Sequence, residues 1–388
     1  MQDFDIIVYG ATGFTGRLVA DYLRSHNTPR WAMAGRSLTK LQQVRDEIGA
    51  PADTPLIVAD SDDPASLTAL CERTRVVLTT VGPYQLYGND LVAACAATGT
   101  AYVDLCGEPA WMRHMIDAHH AAARRSGARI VFSCGFDSIP FDLGVLTLQE
   151  AAKAKFGQPM RHVKGRVRKM QGGASGGTVA SLKASMAAAA RDPSILGLLV
   201  NPFALTPGFD GPSQPKGLLP EYDSALGAWV APFIMAPINT KNVHRTNFLL
   251  DQAYGADFVY EEMMVAPGLG EMGRAAADAI ARMNPFSGDK GPKPGEGPSR
   301  EERENGFYDL LFIGEMPDGT RLDAVVTGDR DPGYGSTSRM IAEAALCLVH
   351  DVEGANDKGG GIWTPGALMG APLRERLIAR AGLTFTAE

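Results

Sequence analysis

Three glycines at intervals of three residues, between two apolar segments, restrict the fold of this chain more than any other feature. Residues 4–9 form an apolar run typical of a buried parallel strand, and residues 17–25 place apolar side chains on one helical face. Glycines permit a tight turn, and N–H groups at a helix N-terminus bind pyrophosphate. A glycine turn that binds nothing is the alternative. We predict dinucleotide contacts from the connecting residues Gly10, Thr12, Gly13, Phe14, Thr15 and Gly16.

The first 135 residues alternate strand and helix patterns throughout. Apolar, β-branched runs also lie at residues 31–34, 55–59, 76–81, 101–105 and 129–133, and helical patterns separate most of them. Strands that alternate with helices predict a parallel, doubly wound sheet of the α/β class. With 388 residues the chain exceeds one ordinary domain. We therefore expect a Rossmann domain over residues 1–135 and a second domain after it.

The pattern changes after residue 135. Residues 163–168 alternate like a strand with one polar face, and a helix is predicted from about Thr178. Prolines and short aromatic groups over residues 200–240 favour long ordered loops, and residues 284–306 form the clearest loop or linker. Two strands are predicted at 307–315 and 320–327, joined by a sequence typical of a hairpin. A helix follows at residues 338–349.

The residues after the second strand discriminate between the two nicotinamide dinucleotides. An NAD site usually carries an acidic residue there, which accepts hydrogen bonds from the ribose hydroxyl groups. This chain has Arg36 and Ser37 instead, with Lys40 just beyond, and a guanidinium group suits a phosphate. NADP is therefore favoured over NAD, with a solvated surface arginine as the alternative. Position alone assigns the remaining cofactor contacts, which are Asp60 at the adenine and Val81, Gly82 and Pro83 beneath the ribose and nicotinamide.

Composition excludes several other classes of protein. The formal net charge of −7 gives no reason to expect nucleic acid as a partner. Five scattered cysteines without a CxxC pair are typical of reduced thiols in a cytosolic protein, and no spacing suggests a zinc site. The first residues lack a signal-peptide pattern, and no apolar run approaches the roughly 18 residues of a spanning helix. We expect a soluble cytoplasmic enzyme that holds no metal.

Several longer motifs carry a family resemblance that covers nearly the whole chain. They are IVYGATGFTGRLVADYL, AGRS, TTVGPY, YVDLCGE, CGFDSIPFDLGV, GGASGGTVAS, FIMAPINT, KPGEGPS and GIWTPGALMGAPLRERL. Together they resemble the saccharopine dehydrogenase-like reductases and, within that family, the mycobacterial trans-acting enoyl reductases. The combination is far more specific than the glycine turn alone.

The resemblance implies NADPH-dependent reduction of a carbon–carbon double bond in a lipid or polyketide acyl chain. It also implies a second α/β domain with a mixed sheet, for substrate binding and dimerisation, over residues 136–335. Residues 336–388 are expected to form helices that pack back on the Rossmann domain. One departure concerns residues 265–283, which are shorter and less apolar than the corresponding stretch of the enoyl reductases. We interpret them as a shortened element for peripheral contact with lipid or membrane.

An enoyl reduction develops enolate charge, so hydrogen-bond donors near the substrate carbonyl would lower the barrier. Gly173 and Ser175, in the glycine-rich residues 172–178, are candidates for substrate binding and catalysis respectively. A tight turn that serves helix packing or the dimer interface is the alternative. Tyr84 is the candidate proton donor, because the fourth strand ends near the nicotinamide. Its alternative is packing against the cofactor.

Residues Phe136, Asp137 and Ser138 lie where the chain crosses between the two predicted domains, and substrate clefts often form at such crossings. We expect them to orient substrate, and capping of the next helix is the alternative for the two polar residues.

Two other functions compete with enoyl reduction. An amino-acid oxidoreductase of the saccharopine dehydrogenase type would need several cleft arginines for its substrate carboxylates, and the candidates are Arg161, Arg166, Arg168 and Arg245. Of these, Arg166 and Arg168 share a strand face and have solvated side chains as their alternative. A non-catalytic NADP-binding protein would dock on a membrane or partner and would lack room beside the nicotinamide.

Overall fold

The computed structural model describes residues 2–26, 30–136, 138–172, 176–283, 296–352 and 358–388. These residues form two seven-stranded sheets. The strands are β1 Phe4–Tyr9, β2 Trp31–Gly35, β3 Leu56–Val58, β4 Thr74–Thr79, β5 Ala101–Val103, β6 Arg129–Val131, β7 His162–Gln171, β8 Glu221–Asp223, β9 Ala228–Pro232, β10 Val259–Val265, β11 Phe307–Glu315, β12 Arg321–Gly328, β13 Gly361–Trp363 and β14 Leu383–Ala387.

Helices cover both sheets. They are α1 Phe14–Ser25, α2 Leu38–Glu47, α3 Pro64–Glu72, α4 Tyr84–Tyr87, α5 Asn89–Thr98, α6 Pro109–Ser126, α7 Ile139–Phe156, α8 Gly176–Arg191, α9 Pro193–Val200, α10 Ala236–Leu249, α11 Gly270–Arg282, α12 Arg300–Glu304, α13 Thr337–His350, α14 Pro365–Leu368 and α15 Gly370–Arg376. Two π-helical turns, Pro332–Ser336 and Leu377–Ala381, precede α13 and follow α15.

The first sheet has the strand order β13-β6-β5-β4-β1-β2-β3, and every neighbouring pair is parallel. The strand order reverses between β1 and β4, and ligands of such sheets bind outside the carboxyl ends of the strands at that point. The predicted doubly wound α/β sheet is therefore confirmed, and its switch point lies beside the glycine turn.

The second sheet is mixed, as expected. Its order is β14-β12-β11-β7-β10-β9-β8, in which only the β7 and β10 pair is parallel. The predicted hairpin of β11 and β12 is confirmed as an antiparallel pair. The helix predicted from about residue 178 is α8, which begins two residues earlier.

Two helices fill the space between the sheets. Buried side chains lie on nearly all faces of α7 and α13. Aromatic contacts join the two halves, since the ring of Phe136 packs edge-on against Phe141 and Tyr308, with centroids 5.5 and 4.9 Å apart. This continuous packing fixes how the second sheet faces the carboxyl ends of the first.

Several loops predicted from composition contain regular structure. The segment 200–240 includes β8, β9 and the start of α10. Residues 284–295 lie outside the described ranges, but α12 follows them, and Ser299 and Glu302 form a capping box at its start. The C-terminal residues are not only helical, because β13 joins the first sheet and β14 the second.

The stretch 265–283 ends β10 and continues into α11. That helix packs on β9 through Ala277, which is buried with Ala231 and Ala266. Leu269 and Met272 at its start are 73% and 74% exposed. Among the described residues, every helix falls short of the length and apolar character that a bilayer-spanning segment requires.

Candidate functional site

The glycine turn adopts a backbone path that other residues would obstruct. Gly10 has a φ of +89°, and a Cβ atom there would lie 2.7 Å from Cγ2 of Val81 and 2.9 Å from Oγ1 of Thr80. A Cβ atom on Gly16 would lie 2.2 Å from the carbonyl oxygen of Gly10. The turn therefore needs both glycines, because α1 and the end of β4 press directly on its backbone.

The start of α1 presents unsatisfied N–H groups. Gly13 precedes the helix without a side-chain cap, and the first turn carries no acidic residue. The N–H groups of Phe14, Thr15 and Gly16 have no acceptor within the helix, because they belong to its first turn. Together with the positive end of the helix dipole they form an anion site that fits a pyrophosphate.

The end of β2 brings two cations beside this turn. Arg36 and Lys40 are exposed, and a Cβ atom on Gly35 would lie 3.8 Å from the side chain of Thr12. Ser37 begins α2 by accepting a hydrogen bond from the backbone N–H of Lys40 at 3.4 Å. The position that an NAD site gives to a carboxylate thus carries a guanidinium group, which suits a phosphate.

Asp60 lies on the same side of the sheet. Burial raises the pKa of the nearby Tyr9 to about 12, with a further rise from the Asp60 charge that the Arg36 charge opposes. One carboxylate oxygen of Asp60 accepts a hydrogen bond from the N–H of Asp62 at 3.2 Å. Asp60 and Arg36 therefore converge at the carboxyl ends of β1, β2 and β3.

The residues after β4 border the turn on its other side. The hydroxyl group of Thr80 donates to the carbonyl oxygen of Gly10 at 3.3 Å, and the N–H of Val81 donates to the hydroxyl oxygen of Thr79 at 3.2 Å. Gly82 and Pro83 then lead into α4. The structure thus brings all the predicted cofactor residues to one edge of the first sheet.

Tyr84 is buried beside this edge. Its hydroxyl group donates to the carbonyl oxygen of Thr79 at 3.4 Å and accepts from the N–H of Leu105 at 3.0 Å. Its ring packs on Trp111 with centroids 5.6 Å apart. Burial raises the pKa of Tyr84 well above its usual value, so the phenol is a weaker acid than in water. This environment favours a packing role over proton donation.

Glu108 is a site residue that sequence reasoning missed. Its buried carboxylate accepts hydrogen bonds from the N–H groups of Tyr84 and Gln85, at 2.8 and 2.9 Å, and so holds the loop after β4. The sequence does mark this residue, because Glu108 is the last residue of the YVDLCGE motif, one of the motifs that carry the family resemblance.

The crossing between the sheets holds a buried polar contact. The N–H of Phe136 donates to the hydroxyl oxygen of Thr337 at 3.0 Å. Ser138 precedes α7 without capping it through its side chain, and its hydroxyl oxygen instead accepts from Nδ2 of Asn242 at 2.5 Å. Ser138 therefore links α7 to α10 instead of closing its own helix. Asp137, Gly173 and Ser175 lie outside the described residues.

A second buried group missed by sequence reasoning lies one turn earlier on α10. Nδ2 of Asn239 donates to Glu262 at 2.9 Å, and the hydroxyl group of Tyr260 donates to the other oxygen of Glu262 at 2.8 Å. Burial raises the pKa of Glu262 to about 8. Within the described part of the chain, Oδ1 of both Asn239 and Asn242 is buried without a hydrogen-bond partner. Asn239 belongs to the FIMAPINT motif, which could have marked it in the sequence.

Residues from the second half of the chain cover the glycine turn. The ring of Phe14 packs edge-on against Tyr334, with centroids 4.7 Å apart. A Cβ atom on Gly297 would lie 2.5 Å from Cε1 of Phe14. The guanidinium carbon of Arg303 lies 5.5 Å from the centroid of the same ring. A further cation thus stands near the predicted pyrophosphate site.

The four arginines that are candidates for binding substrate carboxylates all have partners. Arg166 is buried and pairs with Asp223 at 2.7 Å and Glu261 at 3.2 Å, so the alternative of a solvated side chain is wrong for it. The others pair as follows: Arg161 with Asp257, Arg168 with Asp309, and Arg245 with the carbonyl oxygens of Leu205 and Ile362. The described side chains of the cleft therefore offer no cluster of free guanidinium groups from this set.

The described residues contain no group of three histidine, cysteine or acidic side chains that could hold a metal ion. All five cysteines are buried free thiols, and Sγ of Cys71 lies 3.5 Å from Sγ of Cys95.

Comparison with known proteins adds to this geometry. Residues 6–131 match the family model described as the saccharopine dehydrogenase NADP binding domain. The chain is 42% identical to a Mycobacterium tuberculosis protein provisionally named a trans-acting enoyl reductase, over 99% of this chain and 97% of that one. It is 38% identical to the trans-acting enoyl reductase of Mycobacterium ulcerans, over 97% and 96% of the two chains.

Among solved structures, the saccharopine dehydrogenase (L-Glu forming) of Saccharomyces cerevisiae superposes with a TM-score of 0.56. The match covers 99% of both chains at 11% sequence identity. At that identity the superposition shows a shared fold and gives no information on the substrate or the reaction.

Proposed function

Because the chain belongs to the saccharopine dehydrogenase-like family, and within it to the trans-acting enoyl reductases, we propose that it reduces the carbon–carbon double bond of an enoyl acyl-lipid substrate. Its cofactor is NADP, and it is an NADP-dependent oxidoreductase. NADPH supplies the hydride ion when it is bound, and the protein supplies binding, orientation and electrostatics.

The proposed cofactor contacts divide along the sheet edge. The first-turn N–H groups of α1 hold the pyrophosphate, and Arg36 and Lys40 neutralise the 2′-phosphate. The other contacts are Gly10, Thr12, Gly13, Ser37 and Asp60 on the adenosine side, and Val81, Gly82 and Pro83 on the nicotinamide side. The clash geometry of Gly10 and Gly16 and the absence of a carboxylate at residue 36 support this assignment.

One observation carries the choice of an acyl substrate over an amino acid. A substrate with several carboxylates needs free cations in the cleft, and all four candidate arginines already pair with protein groups. Freeing buried Arg166 would leave Asp223 and Glu261 as uncompensated carboxylates, which is strongly unfavourable. The reacting end of an enoyl thioester carries no charge and makes no such demand.

In this proposal the substrate carbonyl faces the crossing between the sheets. Ser138 orients it with a hydroxyl group that Asn242 holds in place, and Phe136 forms an apolar wall. Gly173, Ser175 and Asp137 stay predicted contacts of the same substrate. Tyr84 keeps the loop after β4 in position through its bonds to Thr79 and Leu105, in place of donating a proton.

Two substrate panels test the proposal. Purified protein with NADPH is offered crotonyl- and dodecenoyl-coenzyme A, and separately pairs of a 2-oxo acid with lysine or glutamate, while NADPH fluorescence is followed. We expect NADPH to be consumed with at least one enoyl thioester and with none of the amino-acid pairs. Consumption with an amino-acid pair alone would establish the amino-acid oxidoreductase instead. NADPH binding without turnover of either panel would favour a non-catalytic protein.

A further inference from the structure

A cavity of about 300 Å³ lies beside the proposed nicotinamide end of the site. One wall comes from the first half of the chain and includes Trp111 and Met115 of α6. The opposite wall comes from α8 and α9 and includes Ala188 and Ile195. The volume is within the range of small-ligand sites, which starts at about 300 Å³.

The inner end of the cavity is polar and adjoins the cofactor loop. Gln85 lines it and follows Pro83 by two residues, and Nε2 of Gln85 donates to the hydroxyl oxygen of Ser185 at 3.2 Å. Glu108 also lines this end and fixes the backbone of Gln85. This end of the cavity therefore lies close to the residues that follow β4.

The cavity opens to water, where its lining residues Asn89 and His114 are exposed. Beside it, Leu196 and Val200 of α9 are 55% and 71% exposed, and Ile195 of the same helix lines the cavity. The helix α9 has the sequence PSILGLLV, yet none of its residues is buried. This helix therefore offers exposed apolar side chains directly beside the cavity.

We propose that this cavity receives the apolar tail of the substrate, which enters past Gln85 and Ser185 and runs out past α9. The inference rests on the proposed function, since it takes an acyl chain as the substrate. A partner helix is about 10 Å across and does not fit a space of this size, whereas an extended alkyl chain does. Small residues such as Ala188 create the space, so this position sets the depth of the cavity.

A pair of variants on one helix tests the assignment. Ala188→Trp fills the cavity, and Ala187→Trp places the same ring on the exposed neighbouring position as a matched control. The probe is cis-parinaric acid, a fatty acid that fluoresces in apolar surroundings, titrated into protein saturated with NADPH. We expect Ala188→Trp to weaken probe binding by about tenfold or more, and Ala187→Trp to leave it within about twofold.

Thermal unfolding and NADPH affinity of both variants must match the parent protein, which separates a filled cavity from a damaged fold. Equal probe binding by the two variants would overturn the proposal, because the probe would then lie on the exposed rim or elsewhere. Absence of probe binding to the parent protein would overturn it as well.

Turnover gives a second readout. The ratio of kcat/KM for dodecenoyl- over crotonyl-coenzyme A should fall about tenfold in Ala188→Trp and stay constant in Ala187→Trp. An unchanged ratio in Ala188→Trp would contradict the proposal. If the parent protein reduces neither thioester, the proposed function fails, while the probe titration still decides whether the cavity binds an acyl chain.

Discussion

The hydroxyl group of Tyr22, in the first helix, donates a 2.7 Å hydrogen bond to the buried carboxylate of Glu343, 321 positions later in the chain. Arg376 donates to the other oxygen of the same carboxylate at 2.8 Å. Three segments distant in sequence therefore meet at one fully buried acid. The contact holds α13 against α1, and so against the helix that begins at the cofactor turn.

Tyr22→Phe should lower the free energy of unfolding by about 1.5–3 kcal/mol, because the lost hydrogen bond has a charged acceptor. Thermal and urea unfolding measure the change. Tyr222→Phe is the control, since its ring is 55% exposed on β8. Equal stability of the two variants would show that the Tyr22 contact contributes little.

Arg36→Glu should weaken NADPH binding by about 10–100-fold, the loss expected when charge-assisted hydrogen bonds to a phosphate are removed. Binding of NADH should change much less, because NADH lacks the 2′-phosphate. Nicotinamide fluorescence measures both. Arg125→Glu makes the same charge change at an exposed position on α6 and should leave both affinities unchanged. Unaltered NADPH affinity in Arg36→Glu would refute the phosphate assignment.

Gly16→Ala should abolish tight NADPH binding and destabilise the fold by about 1–3 kcal/mol, since the new Cβ would lie 2.2 Å from the Gly10 carbonyl oxygen. Gly197→Ala is the matched helical control, with nothing within 4 Å of its added Cβ. NADPH titration and thermal unfolding of both proteins test the expectation, which a normally stable, NADPH-binding Gly16→Ala protein would contradict.

Arg303→Ala should weaken NADPH binding severalfold, because its guanidinium group lies over Phe14 beside the predicted pyrophosphate site. The loss should be larger at low ionic strength, where charge interactions are less screened. Arg300→Ala is the control on the same helix, with an exposed side chain paired to Glu304. Titrations at two salt concentrations distinguish a contribution of charge from one of packing, and an unchanged affinity at low salt would exclude Arg303 from the site.

Glu262 should make stability depend on pH. Burial raises its pKa from 4.5 to about 8, so between these values the folded protein keeps a proton that the unfolded chain has released. The contribution is fully present below pH 4.5 and is lost as pH rises to 8. Glu262→Gln should therefore gain stability relative to the parent protein across this range. Urea unfolding at several pH values tests this, with exposed Glu271→Gln as a control that should track the parent.

Local pattern was enough to predict six of the seven strands of the first sheet and the edge at which the glycine turn, Arg36 and the end of β4 meet. The glycine turn, Arg36 and the end of β4 lie close together because parallel strands end at a common edge, which follows from strand order alone. Contacts between distant segments could not be predicted in this way. Arg303 lies over Phe14 only because the second sheet faces the first, and Asn239 bonds Glu262 only because α10 packs on β10.

The C-terminal strands show the same limit. The three-residue strand β13 carries a weak local signal, and its pairing with β6 depends on a sheet edge formed more than 200 residues earlier. β14 likewise depends on β12. The sequence predicted helices there, and it did not predict that the same segment contributes a strand to each sheet.

That arrangement affects the order in which the newly made chain can complete its fold. Until residues 361–363 leave the ribosome, the edge of β6 has no strand on its outer side, and until residues 383–387 follow, β12 is also open. Open edges pair readily with other chains. At a synthesis rate of about 5–20 residues per second, the first sheet waits for tens of seconds or less with that edge unprotected. Residues 361–363 and 383–387 thus complete one edge of each sheet in turn, so the first sheet can gain this strand before the second sheet gains its own.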